Sequence, residues 1–307
     1  MRVLSLFDGM ACGMLAFQLA GIKPDRYVAY EYDIETANEK KDRPFGFAAK
    51  VASHNFPMIE QCGDVFKADY MNYQDFDWLI GGSPCTYWSI AQKNNRETEA
   101  SGLGWELFCQ YVRALHEVKP KYFLYENNKS MSKEIRASIT ATFGFEPIGI
   151  NSSLVSAQNR QRLYWVGKQN EDGTYSKVDI EQPDDRKLLL RNIVLNIDLV
   201  EKKSFWSEKA ILGNENTTYN TSKSRLRTLF QKSPTICARD WKDPKSVIQD
   251  GTKRKLVVRE YARLQTVPEW YDFSVISDSQ AYRCLGNGWT IEVIAHLIKS
   301  AINNNTQ

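Results

Sequence analysis

The sequence predicts an α/β protein with a Rossmann-like, doubly wound, mostly parallel sheet and a smaller irregular domain. Apolar runs at Val3–Phe7, Tyr27–Tyr32, Trp78–Ile80 and Tyr122–Tyr125 each stop at glycines or acidic residues, as strands buried on both faces do. Between them, Met10–Ala20, Leu103–Val118 and Met131–Phe143 carry apolar residues at near-helical spacing. That alternation is the signature of crossover units on a parallel sheet.

A chain of 307 residues, 42% hydrophobic, is long enough for one large domain and a smaller one. Its formal charge of +3 neither nominates nor excludes a nucleic-acid partner. The six cysteines form no C-x-x-C pair and His54, His116 and His296 lie far from them in sequence, so no metal site is expected. The N-terminus enters a strand pattern directly and is interrupted by Asp8. Neither a signal peptide nor a membrane span fits, and reduced thiols in a cytosol are expected.

Taken in order, the first strand ends at Phe7-Asp8-Gly9, a strand-to-helix turn where such a fold holds a nucleotide-like ligand, with Gly9 and Gly13 permitting close approach. The spacing is not G-x-G-x-x-G, since Ala11 occupies a glycine's place. Glu31 falls near the end of the second strand, where an acidic residue bonds ribose hydroxyls in related folds. Residues 34 to 60 read as a helix and a polar connection. A short third strand, Gln61–Val65, sets Asp64 at its C-terminal end, suited to accept from an exocyclic amine.

The fourth strand stops at Gly81-Gly82-Ser83-Pro84-Cys85. Ligands of parallel sheets sit beyond the carboxyl ends of the strands, so a thiol delivered there faces a crevice. On this stretch alone Cys85 is as well read as a gap-filler as a nucleophile. Thr86–Gly102 is polar and without period, which predicts a mobile loop over the site. The fifth strand ends at Glu126-Asn127-Asn128, bringing a carboxylate to the same edge.

Strands follow near Ile148–Val155 and Leu163–Gly167, and between them Arg160 and Arg162 stand at alternate positions of an extended segment. They would point the same way, toward a phosphate, carboxylate or carbonyl, although strand-end arginines are commonly just solvated. From 169 to 249 the pattern turns to short polar runs, including Asn214–Thr218 and the basic run Lys223, Arg225 and Arg227. Val257–Leu264 and Ile291–Ile302 read as helices returning to the first domain. The expected division is therefore 1–168, 169–249 and 250–307.

Assembled, these motifs resemble those of the DNA (cytosine-5) methyltransferases, in the family's order and nearly end to end. Ser5-Leu6-Phe7-Asp8-Gly9 is similar to its motif I, Gly81–Cys85 to motif IV, Tyr125-Glu126-Asn127 to motif VI, Asn159-Arg160-Gln161-Arg162 to motif VIII and Gly286-Asn287-Gly288-Trp289 to motif X. Ser83, where many members have proline, and Trp289 look closest to the catalytic domain of the de novo enzymes. Ala11 for glycine and Asn128 for the usual valine are departures.

The resemblance implies a class I S-adenosylmethionine-dependent methyltransferase fold. Cys85 would be the nucleophile that adds to carbon 6 of cytosine, Glu126 the general acid at ring nitrogen 3, and Arg160 or Arg162 the positive charge that favours a thiolate. It sets the adenosine of S-adenosylmethionine against Phe7, Glu31 and Asp64, takes Asp8, Gly9 and Pro84 into the same site, and puts Asn287 and Trp289 near the methionine part. S-adenosylhomocysteine would be the product. The implied partner is double-stranded DNA with the target base flipped out, and the implied source is a compact prokaryotic or phage enzyme of the restriction-modification kind. The smaller domain, 169–249, would be the target recognition domain. Oligomeric state is left open. Rival readings are a tRNA cytosine-5 methyltransferase, a catalytically silent nucleic-acid-binding regulator and, from topology alone, a nicotinamide dehydrogenase.

Overall fold

A computed structural model describes residues 1–32, 46–90, 96–206 and 226–303. The described residues divide into two compact units, one made of Met1–Ile150, Gln161–Gln182 and the C-terminal Ile291–Gln307, the other of Asn151–Arg160 and Pro183–Thr290.

In the first unit β1 (Arg2–Leu6) lies inside the sheet, and its last four residues are all buried. Beside it run β2 (Arg26–Tyr30) and β3 (Glu60–Gln61) on one side, β4 (Trp78–Gly81) and β5 (Tyr122–Asn128) on the other, all parallel. Beyond β5 come β7 (Gln161–Gln169), antiparallel to it, and then β6 (Ile148–Asn151), while β8 (Tyr175–Lys177) pairs antiparallel with β7. The strand order is β3-β2-β1-β4-β5-β7-β6. Crossovers are made by α1 (Cys12–Leu19), α2 (Phe47–Asn55), α3 (Gly102–Val118) and α4 (Lys133–Phe143).

What fixes α3 on the sheet is partly polar. The buried Tyr111 hydroxyl donates to the carbonyls of Leu79 (3.2 Å) and Leu124 (2.9 Å), one on β4 and one on β5. Around it, Phe108, Tyr125, Phe143 and Trp165 fill the core with tilted and edge-on ring contacts. The two strands that carry Cys85 and Glu126 toward their ends are thus locked to one helix.

Several elements differ from their sequence reading for identifiable reasons. β5 continues through Glu126 to Asn128, because β7 pairs it along its whole length, Glu126 opposite Tyr164 and Asn128 opposite Arg162. A partner strand satisfies backbone that looks like a strand end from composition alone. Asp64 lies beyond β3 and instead caps a short 3₁₀ turn, Val65–Lys67, accepting from the Phe66 amide at 3.0 Å. The stretch after Cys85 opens with a 3₁₀ turn, Cys85–Tyr87, and then buries Trp88 completely.

The second unit holds a three-stranded sheet of β9 (Leu226–Thr228), β10 (Ser246–Gln249) and β11 (Thr252–Lys255), with β10 in the middle. Asp250 and Gly251, both at positive φ (49° and 74°), close the β10–β11 hairpin, as a two-residue turn of that hand requires. The unit also contains α5 (Val258–Leu264) and α6 (Asp278–Asn287), so only α7 (Ile291–Asn303) belongs with the first unit, where it packs on α1. The expected boundaries at 168 and 249 differ from these. Side-chain bonds account for the difference: Gln158 Nε2 donates to Leu264 O at 3.0 Å, its Oε1 accepts from the Ile236 amide at 2.9 Å, and Arg160 donates to Ile236 O at 3.1 Å. Such long-range polar contacts leave no periodic trace. Asn214–Thr218, Lys223 and Arg225 lie outside the described residues, whereas Arg227 is on β9.

Buried charge also holds this unit together. Arg254 and Glu260 are both fully buried and pair at 2.6 Å, with Gln249 accepting from the guanidinium and the Leu195 and Val257 amides donating to the carboxylate. Glu260→Ala should therefore cost about 3–5 kcal/mol in urea denaturation, since it strands a buried guanidinium. Glu269→Ala, which breaks the exposed pair with Arg263, should cost about 1 kcal/mol or less. Equal small losses would contradict this account.

Candidate active site

Leu6 stands in register with Tyr30 on one side and Gly81 on the other, so the residues that follow, Phe7, Glu31 and Gly82, emerge together at the carboxyl edge of the parallel sheet. The first turn is unusual in its backbone. Phe7, Gly9 and Ala11 have φ of 59°, 61° and 64°, a conformation that costs a non-glycine residue about 1–2 kcal/mol. The amides of Phe7 and Asp8 share the Tyr30 carbonyl (2.8 and 3.2 Å), and the Gly9 amide donates to Glu31 Oε2 at 2.9 Å. A side chain on Gly9 would meet nothing within 4 Å, so this turn presents bare backbone at Gly9 to open space.

Asp8 behaves differently from its neighbours. Its side chain turns inward, and Oδ1 accepts from Ser5 Oγ and from the Tyr27 hydroxyl, both at 2.6 Å. Oδ2 is buried without a partner, and burial pushes the carboxyl up to about 6 against the two hydrogen bonds that pull it down. The Asp8 side chain thus braces the turn from behind. Tyr27 in turn occupies space next to Gly13, where a Cβ would come within 2.5 Å of its hydroxyl oxygen.

The second turn carries Cys85. A Cβ on Gly81 would lie 2.7 Å from Leu6 O, and one on Gly82 would lie 2.6 Å from Glu126 O and 2.9 Å from Glu126 Oε2. Both positions demand glycine because two backbones and a carboxylate close on them. Ser83 is buried, its hydroxyl 2.7 Å from that of Tyr125, and Asn127 Nδ2 donates to Ser83 O at 3.1 Å. Pro84, exposed at φ −51°, leads into the turn in which the Trp88 and Ser89 amides donate to Cys85 O. The half-buried Cys85 is the first residue of that turn.

Glu126 is fixed from the far side. Arg162 Nε pairs with Glu126 Oε1 at 3.0 Å, both side chains nearly buried, a diagonal contact across the antiparallel β5–β7 pair. Arg160 does not share that direction. Only 3% exposed, it donates to the carbonyls of Ile236, Gly286 (3.3 Å) and Gly288 (2.8 Å), closing the C-terminal end of α6 within the second unit. The strand begins at Gln161, so the alternation that would align the two arginines does not reach Arg160. Phe7, Gly9, Glu31, Asp64, Pro84, Cys85, Glu126 and Arg162 all belong to the first unit, while Arg160, Asn287 and Trp289 belong to the second, the last two where α6 ends.

Sequence reasoning missed Tyr125, Trp88, Arg96 and Glu97. Trp88 Nε1 donates to Glu97 Oε2 (3.0 Å), the Gly104 amide donates to Glu97 Oε1 (3.1 Å), and Arg96 donates to Trp88 O (3.1 Å). A tryptophan three residues after a candidate nucleophile was the available signal that the described ends of the loop, 86–90 and 96–102, are anchored; residues 91–95 of the expected mobile loop lie outside the described residues.

The sequence pattern that defines the C-5 cytosine-specific DNA methylases matches residues 1–303. The chain belongs to that family. It is 30% identical to the type II methyltransferase M1.ScrFI of Lactococcus lactis subsp. cremoris over 81% of this chain and 67% of the relative. It is 27% identical to the type II methyltransferase M.FnuDI of Fusobacterium nucleatum over 99% and 96%. Among solved structures, S. pombe Dnmt2 methyltransferase superposes with a TM-score of 0.70 at 16% identity, covering 100% of this chain and 99% of that one. The Entamoeba histolytica methyltransferase EhMeth gives 0.73 at 13%, covering 100% and 99%. At those identities the likeness is one of fold, the class I methyltransferase fold that this sheet order describes. This C-5 cytosine-specific DNA methylase is thus an enzyme, and its family makes S-adenosylmethionine its methyl source and DNA its substrate.

The Asp8 network gives a pH signature. The folded chain holds the Asp8 proton up to about pH 6 against an ordinary value of 3.8, so stability falls as pH rises through that window and the cost of the buried charge is complete above it. Asp8→Asn keeps an oxygen to accept from Ser5 and Tyr27 without the charge. The variant should melt above the parent at pH 8, and the gap should shrink as pH approaches 4. Thermal denaturation at both pH values checks this, and a gap independent of pH would contradict it.

Proposed function

We propose that this methylase modifies carbon 5 of a flipped cytosine in double-stranded DNA, with Cys85 as nucleophile and Glu126, oriented by Arg162, at ring nitrogen 3. The observation that carries the reading is Gly82. Its bare α-carbon lets the Glu126 carboxylate lie against the turn that delivers the thiol. The Cys85 thiolate forms a bond to carbon 6, and the displaced ring electrons move toward nitrogen 3, where Glu126 supplies a proton. Carbon 5 thereby becomes electron-rich. After methylation the carbon 5 proton passes to a solvent base, the carbon 5–carbon 6 double bond re-forms as the thiolate leaves, and the nitrogen 3 proton returns to the Glu126 carboxylate.

Glu31 and the open backbone at Gly9 fit the ribose end of S-adenosylmethionine, and Phe7, just past β1, and Asp64, in the turn beyond β3, are assigned to its adenosine. When bound, that group supplies an electrophilic methyl on a sulfonium. Asp8 acts through the turn it braces, and Arg160, whose guanidinium donates to three backbone carbonyls, takes no catalytic role. Within the second unit, the stretch from 183 to 249, Arg227 among its described residues, is assigned to target recognition. No described helix is long and apolar enough to cross a membrane.

The test is a duplex carrying 5-fluorocytosine, from which fluorine cannot leave as the proton does. In the presence of S-adenosylmethionine the parent chain should form a covalent adduct that maps to Cys85. Cys85→Ser should form none and show no measurable turnover while still binding the methyl donor. An adduct at another cysteine, or turnover by Cys85→Ser, would remove Cys85 from its role.

A further inference from the structure

Asn128 stands at the end of β5, buried. An amide in such a place is costly unless its polar atoms are bonded, and here they are. Its backbone and side-chain nitrogens donate to Asn127 Oδ1 (2.8 and 3.2 Å), and its Oδ1 accepts from Ser130 Oγ at 2.7 Å. Asn127 reaches the other way, to Ser83 O in the cysteine turn.

Ser130 then meets the segment that follows Cys85. The Ile90 amide donates to Ser130 Oγ at 3.5 Å, and Arg96 Nη2 donates to Ser130 O at 2.6 Å while its Nε holds Trp88 O at 3.1 Å. The first of these is long, so it survives only if the Ser130 hydroxyl is kept in one rotamer, which is what the short bond to Asn128 does. Ser83, two residues before the thiol, and Ile90, five after it, are therefore joined by one run of hydrogen bonds through Asn127, Asn128 and Ser130. Valine would fill the volume of Asn128 and keep the backbone bond to Asn127, but it would lose the hold on Ser130.

We propose that Asn128 is a positioning residue that, through Ser130, sets the segment from Thr86 to Ile90 in register with the turn carrying Cys85. The consequence for catalysis rests on the reading of Cys85 as nucleophile. The coupling itself does not.

Asn128→Val, Ser130→Ala and the double variant are compared with the parent in two assays: amide hydrogen exchange over residues 86–90, and the single-turnover rate of adduct formation on 5-fluorocytosine duplex. Each single variant should speed exchange in that segment and slow the adduct about tenfold, the scale of one lost hydrogen bond. The double variant should be no worse than either single, because both break the same link. Affinity for S-adenosylmethionine should stay within about twofold, and Ser130→Thr, which keeps the hydroxyl, should retain the parent rate. Multiplying losses in the double variant, or unchanged exchange and rate in the singles, would overturn the proposal. Absence of any adduct in the parent would overturn the nucleophile reading instead, and exchange would still decide the coupling. Should Asn128→Val fail to fold, Ser130→Ala against Ser130→Thr decides it alone.

Discussion

The close approach of two parallel strand ends at Gly82 is the constraint on which the site depends. β4 and β5 run in register, Gly81 opposite Tyr125, so the thiol turn and the carboxylate leave the sheet as neighbours. Any Cβ at Gly82 would sit within 3 Å of both the Glu126 carbonyl and its carboxylate, and no rotamer change relieves a clash with backbone. Everything else that holds the pair follows from this contact. Tyr111 ties both strands to α3, Arg162 reaches Glu126 from β7, and Asn127 closes the turn over Ser83.

Much of that arrangement was legible in the sequence because it follows from periodicity and punctuation. Apolar runs ending in glycine or acid located β1, β2, β4 and β5, and the positions of Cys85, Glu126 and Glu31 followed from strand ends. Legibility failed wherever a side chain's partner is far away in sequence. Arg160 looks like the twin of Arg162 by alternation, yet its partners at 236, 286 and 288 pull it into the second unit. Asp8 reads as a crevice residue until Ser5 and Tyr27 claim its oxygen. The loop after Cys85 reads as mobile because its anchors, Trp88 with Glu97 and Arg96 with Ser130, are polar and aperiodic.

The same distinction explains the two units. The first is built on a repeating apolar pattern and could be outlined from it. The second is held by polar groups, the buried pairs Arg254 with Glu260 and Lys245 with Asp240 at 3.2 Å and the half-buried Lys232 bonded to three backbone carbonyls, whose geometry is invisible to a hydrophobicity reading. Burying so much charge adds little net stability over apolar packing, but it makes each pair intolerant of losing one partner.

The most direct measurement of the central claim is bisulfite sequencing of chromosomal DNA from a host without cytosine methylation that expresses the unsubstituted chain. The account predicts 5-methylcytosine at a recurrent short sequence throughout the genome. DNA free of 5-methylcytosine, alongside active protein that instead labels tRNA, would contradict it.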